Sequence, residues 1–200
     1  MSVRDAAKSA AYWTATAAIL PALASYRVRA MIIGRDRALE GSSQALAIVP
    51  GMIGQYLRRA FLSRVLASCD RSVTVEFGTI FSRAGTRLDA AVYIGPRCHI
   101  GLVHIEQGVL VAAGVHIPSG AMTHGTDDTT VPIRDQAGVT RMVRIGAGSW
   151  IGSAAVVMAD VGCDTIVGAG SVVTRPLPEC VMAAGVPAKV IRQRAERRSA

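Results

Sequence analysis

From Val75 onward the chain repeats an aliphatic residue followed by a small or acidic one about every six positions. The series runs Val75-Glu76, Phe81-Ser82, Leu88-Asp89, Ile94-Gly95, Ile100-Gly101, Ile105-Glu106, Val111-Ala112 and Ile117-Pro118, with one-residue slips at Leu88 and Ile105. It resumes at Ile145-Gly146, Ile151-Gly152 and Val157-Met158, then, two residues short, at Val161-Gly162, Val167-Gly168 and Val173-Thr174. This period is neither that of a half-buried strand nor that of an amphipathic helix. It predicts a parallel β-helix in which each hexad forms one short strand, the aliphatic residue points into the bore, and small residues allow tight corners. Stacked coils then bury one another's edges.

Before residue 70 the pattern is helical. Ile53, Leu57, Phe61, Leu62, Val65 and Leu66 share one face, while Arg58, Arg59 and Arg64 lie mostly off it. This basic amphipathic helix either docks on the domain that follows or lies on an anionic membrane surface. Pro50-Gly51 separates it from the segment Ser42 to Val49. Farther upstream, the apolar stretch 10–25 is interrupted by Thr14, Thr16 and Pro21 and falls short of the roughly 20 residues that span a bilayer. Arg4 and Lys8 ahead of it, with Ala22-Leu23-Ala24 at its end, also fit a secretory signal. The chain thus divides into an N-terminal helical region (1–70), a repeat domain (71–178) with an inserted loop (122–142), and a C-terminal segment with a basic tail (179–200).

The loop is the main departure from the repeat. A regular coil exposes little but its corners, so a site that encloses a substrate needs an excursion that covers a groove. The stretch MTHGTDDTTVPIRDQAG, beginning at Met122, is polar and rich in turn formers. His124 stands where the coil opens; imidazole is the side chain whose pKa suits a general base at neutral pH. The bland alternative is an exposed loop histidine.

Composition agrees with narrow β-packing: half of the 200 residues are apolar, only 4% are aromatic, and 20 are glycine. A formal net charge of +8 and a pI near 10.0 attract anions such as nucleic acid, acidic lipid or a phosphorylated ligand, unless the basic tail is only a solvated surface. Lys189, Arg192, Arg194, Arg197 and Arg198 concentrate that charge. No aromatic residues interleave with it and no finger or RNA-binding signature is present, so nucleic acid is not an expected partner. Four scattered cysteines indicate neither a metal knuckle nor a disulfide framework, and fit a reducing cytoplasm.

The run IGAGSWIGSAAVVMADVGCDTIVGAGSVVTRPLPECVMAAGVPAKVIRQR, from Ile145 to Arg194, resembles the C-terminal half of bacterial hexapeptide-repeat acetyltransferases, with WIG, VGAGSVVT and AGVPAKVIR in that family's order. The resemblance covers about residues 75–194. It implies a left-handed parallel β-helix, a homotrimer with sites between subunits, and acetyl transfer from acetyl-CoA to a hydroxyl or amine. VYIGPRCHIG, VHIPSG, HG and PIRDQ are most similar to members acting in exopolysaccharide or capsule biosynthesis. Such a member would be a cytoplasmic O-acetyltransferase of a sugar acceptor, lipid-linked or nucleotide-linked, perched at the inner face of the membrane through its helices; serine or amino-sugar acetylation is the alternative within the class.

By the same resemblance His124 is the general base of a direct transfer. Trp150 walls the acetyl end, Ser153 meets the thioester region, Ala169 holds the pantetheine arm, Thr174 and Arg175 lie by the nucleotide end, and Lys189 and Arg192 meet the CoA phosphates. Asp127, Asp128 or a backbone carbonyl could orient His124, and Asp127 and His99 could also meet the acceptor. The family's acceptor-binding asparagine is Gly95 here, with Arg97 two positions on, which suits an acidic or phosphate-linked sugar. Two other readings remain: a non-catalytic β-helix scaffold, and a zinc hydratase of the β-helix carbonic anhydrase type. His99 and His104 share that type's spacing, but no histidine precedes His99, so no metal is expected.

Overall fold

A computed structural model describes residues 12–194. Arg4, Lys8, Arg197 and Arg198 lie outside the described residues. Helices α1 (Tyr12–Ala18), α2 (Leu20–Ile33), α3 (Arg35–Ala47) and α4 (Gly51–Val65) lead into a parallel β-solenoid of about six turns. Three short strands make each complete coil. The first holds β1 (Ser68–Cys69), β2 (Thr74–Val75) and β3 (Ile80–Phe81); the second β4 (Arg87–Leu88), β5 (Tyr93–Ile94) and β6 (His99–Ile100). The third holds β7 (Val103–Ile105), β8 (Leu110–Val111) and β9 (His116–Ile117), and the fourth β10 (Val143–Ile145), β11 (Trp150–Ile151) and β12 (Val156–Val157). The fifth coil enters through a bridge at Val161 and continues with β13 (Ile166–Val167) and β14 (Val172–Val173); the sixth enters at Leu177 and ends in β15 (Val181–Ala184). Stacked strands form three parallel sheets, here A (from β1), B (from β2) and C (from β3).

The hexad rule holds in space: every aliphatic position named in the repeat is at most 1% exposed. Neighbouring coils lie so close that a Cβ on Gly152 would come within 2.5 Å of Ala169 N, so only glycine fits there. Buried hydroxyls stitch the corners. Thr79 donates to Gly95 O at 2.7 Å and accepts from Cys98 N at 3.1 Å.

Spacing differs by corner. From sheet A to B, and from B to C, successive inward residues stay six apart, as in Leu88, Ile94 and Ile100. Every slip, at Leu88, Ile105, Val161 and Leu177, and the inserted loop itself, falls at the C-to-A corner. The two regular corners are turned by residues in the left-handed region: Gly78, Arg97, Gly114, Ala154 and Gly170 between B and C, and Ala91, Gly108, Gly148, Asp164 and Cys180 between A and B. Backbone geometry therefore fixes the length of those corners and leaves the third free to vary.

Both ends of a parallel solenoid leave ladder groups unpaired. At the start, the helices supply partners: Ser43 Oγ accepts from Phe81 N at 2.8 Å, Asp36 Oδ1 accepts from Ala84 N at 2.9 Å, and Ala47 O accepts from Gly78 N at 2.9 Å. At the far end β16 (Lys189–Gln193) folds back antiparallel on β15. The C-terminal segment therefore adds a strand before its basic tail.

Helix α4 departs from the face expected of it. Arg58, expected off the apolar face, is only 2% exposed, and Ile53, expected on it, is 72% exposed. The guanidinium is buried because carbonyls await it. It donates to Leu46 O at 3.1 Å and Val49 O at 2.7 Å, at and just beyond the C-terminal end of α3, and to Val75 O at 3.0 Å in the first coil. Burial lowers its pKa, against the pull of Glu76. Tyr12, Ile19, Leu23 and Tyr26 join the same core, with Tyr26 edge-on to Phe61 at 5.8 Å. No single helix among the described residues is long and apolar enough to cross a membrane.

Candidate functional site

The inserted loop leaves the coil after β9 and returns at β10 as a narrow stem. Arg141 N donates to Ser119 O and Val139 N to Met122 O, each at 2.7 Å. Gly138 lies against Thr123 O, too near for any Cβ. Past the stem the chain closes on itself. Gln136 Nε2 donates to Asp128 O and Val131 O, and Asp128 Oδ1 accepts from Thr130 N at 2.8 Å and Thr130 Oγ1 at 2.6 Å. Those bonds hold the Asp128 carboxyl below its ordinary range.

His124 sits beside the stem, exposed, and its side chain makes no hydrogen bond among the described residues. Asp128 is already engaged by Thr130, so of the groups that could orient the imidazole it is the least free. An exposed imidazole beside the stem can accept a proton from a bound hydroxyl that comes within hydrogen-bonding reach.

The outward side chains give each sheet its own chemistry. Sheet A stacks Arg87, His104 and Arg144. His104 meets Asp89 at 3.1 Å, and Arg144 Nε donates to Glu106 Oε1 at 2.5 Å. That bond, opposed by some burial and helped by Ala147 N, holds Glu106 below its ordinary pKa. Sheet C aligns His99 with His116, ring centroids 6.1 Å apart. His99 and His104 therefore face outward from different sheets, and their spacing in sequence does not make a pair. No three His, Cys, Asp or Glu side chains converge among the described residues.

Sheet B carries a stripe that sequence alone did not reveal. Its register places Tyr93, Leu110, Trp150, Ile166 and Met182 in line, the first three 37%, 43% and 49% exposed. Trp150 was picked out by its motif; its neighbours were hidden because strand register cannot be read from one coil. A residue immediately before each inward aliphatic on this sheet is the signal that would have found them.

The remaining candidates fall into groups. Ser153 and Ala169 lie exposed on the corner between sheets B and C, linked through the Gly170 N to Ser153 O bond at 2.8 Å. Arg97 lies on the same corner two coils earlier, in the left-handed conformation that Gly78 and Gly114 adopt beside it. Thr174 and Arg175 are exposed at the C-to-A corner, where the loop also emerges, and Asp127 lies within the loop. Lys189 and Arg192 project from β16 beside Ala184 and Met182. Within one chain His124 and the Ser153–Ala169 ridge thus stand at opposite edges of sheet C.

The fold is the left-handed parallel β-helix of hexapeptide-repeat acetyltransferases. A maltose O-acetyltransferase from Clostridium difficile shares it with a TM-score of 0.70 at 20% identity, over 81% of this chain and 88% of that one. A galactoside acetyltransferase solved with coenzyme A shares it with a TM-score of 0.60 at 22% identity, over 82% of each chain. In sequence, a protein named probable acetyltransferase from Mycobacterium tuberculosis is 35% identical over 94 residues, 46% of this chain and 31% of that protein. The chain spans only about a third or less of the length of the curated relatives it matches, 26% to 31%. No family model matches.

Proposed function

We propose that the protein transfers an acetyl group from acetyl-CoA to a sugar hydroxyl, with His124 as general base. One observation carries this reading: the coil opens at its variable corner to project an exposed histidine, directly before the coils that hold the WIG, VGAGSVVT and AGVPAKVIR motifs. In the proposed step His124 takes the hydroxyl proton as the oxygen attacks the thioester carbonyl. A backbone N–H stabilises the oxyanion, and the CoA thiolate leaves and is protonated, giving an O-acetyl sugar and free CoA.

Trp150, Ser153 and Ala169 would line the path of the cofactor, with Thr174, Arg175, Lys189 and Arg192 toward its phosphates, where charge-assisted contacts favour arginine and lysine. His99, Arg97 and Asp127 would meet the acceptor. The opposite placement of His124 and the Ser153–Ala169 ridge supports a homotrimer in which the loop of one chain closes over the ridge of the next. The names of the fold relatives support a sugar acceptor, and Arg97 suits an acidic or phosphate-linked one in exopolysaccharide synthesis. Acetyl-CoA as donor supports a cytoplasmic location, with the exposed apolar and basic helices resting on the inner face of the membrane.

Calorimetric titration with acetyl-CoA, on the full chain and its His124→Ala variant, tests the cofactor half of the proposal. Similar binding by both is the expected result; no binding by either would turn the reading to a scaffold.

A further inference from the structure

Where α1 and α4 meet the first coil, a cavity of about 570 Å³ opens among Tyr12, Trp13, Tyr56, Arg59, Arg71 and Thr74. We infer that it binds the phosphate of an anionic phospholipid in a bilayer, with the acyl chain in the apolar groove beside it. The inference sharpens the membrane contact proposed above by assigning it a site, and it does not depend on acetyl transfer.

Two cations face the cavity. Arg59 lies over the Tyr56 ring at 4.6 Å and the Tyr12 ring at 5.9 Å, and Arg71 over Tyr12 at 5.2 Å and Trp13 at 6.0 Å. Neither is in a salt bridge among the described residues. Arg59 Nε is buried without a hydrogen-bond partner, a donor whose desolvation nothing offsets. Among the described residues no carboxylate lines the cavity. Of the nearest ones, Asp70 is held by Ser72 N at 2.8 Å and Ser72 Oγ at 2.5 Å, and Glu76 by Gln55 Nε2 at 2.9 Å. Two guanidiniums held by aromatic rings, with carboxylates turned elsewhere, form a receptor for a phosphate.

The second half of the ligand is set by what adjoins the cavity. A groove of about 480 Å³ runs on from it, lined by Ala15, Ala18, Ile53 and Leu57 and sharing Met52 and Tyr56. Its rim is apolar and open, with Met52 69% and Ile53 72% exposed, and Trp13, 56% exposed, stands at the adjoining cavity. Inorganic phosphate would leave this groove exposed to water, whereas an acyl chain covers it. A bilayer also accounts for α1 and α2, which meet at 51° and together are as apolar as a membrane segment. Tryptophan and arginine at such a rim suit the headgroup region.

Flotation of the full chain with vesicles of phosphatidylcholine, with and without phosphatidate, tests this site. The wild type should float with phosphatidate vesicles and not with phosphatidylcholine alone. The Arg59→Gln/Arg71→Gln pair should weaken binding about tenfold or more, Ile53→Asp should weaken it as well, and Arg37→Gln, on the exposed side of α3, should do so far less. Circular dichroism confirms that each variant folds; should the pair fail to fold, Arg71→Gln alone, at an exposed position, replaces it. Equal weakening by Arg37→Gln would show general charge attraction and overturn the pocket while leaving membrane contact standing. Displacement from the vesicles by inorganic phosphate would overturn the lipid in favour of a free anion. Absence of flotation altogether would overturn both the pocket and the membrane contact, without bearing on acetyl transfer.

Discussion

In the β-helix each inward aliphatic side chain is sealed, and Ile105, Ile117 and Ile145 are 0% exposed. The helices that precede it are built otherwise: Met31, Ile32, Met52 and Ile53 are exposed, while Arg58 is buried. The difference follows from what each region must satisfy. A coil meets the same surroundings above and below, so one burial rule serves every hexad. The helices must instead cover the unpaired edge of the first coil, and that edge asks for Ser43, Asp36 and Arg58 at particular ladder groups, which leaves apolar side chains facing outward.

The comparison can be broken first in the solenoid. Truncating Ile145, sealed between coils, should cost about 2–5 kcal/mol, since the bore cannot collapse around the lost methyl groups. Urea unfolding of Ile145→Ala reads this directly. A smaller but informative loss is expected at the interface of the two regions: Arg58→Ala strips partners from the carbonyls of Leu46, Val49 and Val75 and should cost about 3 kcal/mol. Thermal melting that shows no loss would mean the helices are held by apolar contact alone.

The least change is expected at the surface of sheet A. Glu106 has a lowered pKa in the folded chain, so the stability it contributes is complete above the ordinary value of 4.5 and is lost as pH falls through the lowered one. Glu106→Gln should therefore flatten the fall in melting temperature below about pH 4.5. At neutral pH it should cost no more than about 1 kcal/mol, because its partner Arg144 is 57% exposed.

How much could be read from sequence follows the same division. The inward positions were legible because the bore allows only aliphatic side chains, one hexad after another. The C-to-A corner was legible as slips and an insertion, although only the stacking shows that all of them share one edge. Arg58 was not legible: hydropathy marks arginine as polar, and the carbonyls that receive it come from another helix and from the first coil. His124 stood out because it breaks a pattern. Tyr93 and Leu110 did not, since their alignment with Trp150 depends on register between coils. Arg59 read only as one cation of a basic helix and Arg71 escaped notice, because Tyr12, the ring that both guanidiniums face, comes from α1.

The central proposal is that the variable corner presents His124 as general base to an acceptor hydroxyl beside bound acetyl-CoA. It is tested most directly by the rate of acetyl transfer from acetyl-CoA to a sugar acceptor that the wild type acetylates, wild type against His124→Ala, at saturating acetyl-CoA. The account predicts a fall in kcat of about 10²–10⁴-fold with acetyl-CoA affinity retained. A variant that transfers acetyl groups at the wild-type rate would contradict it.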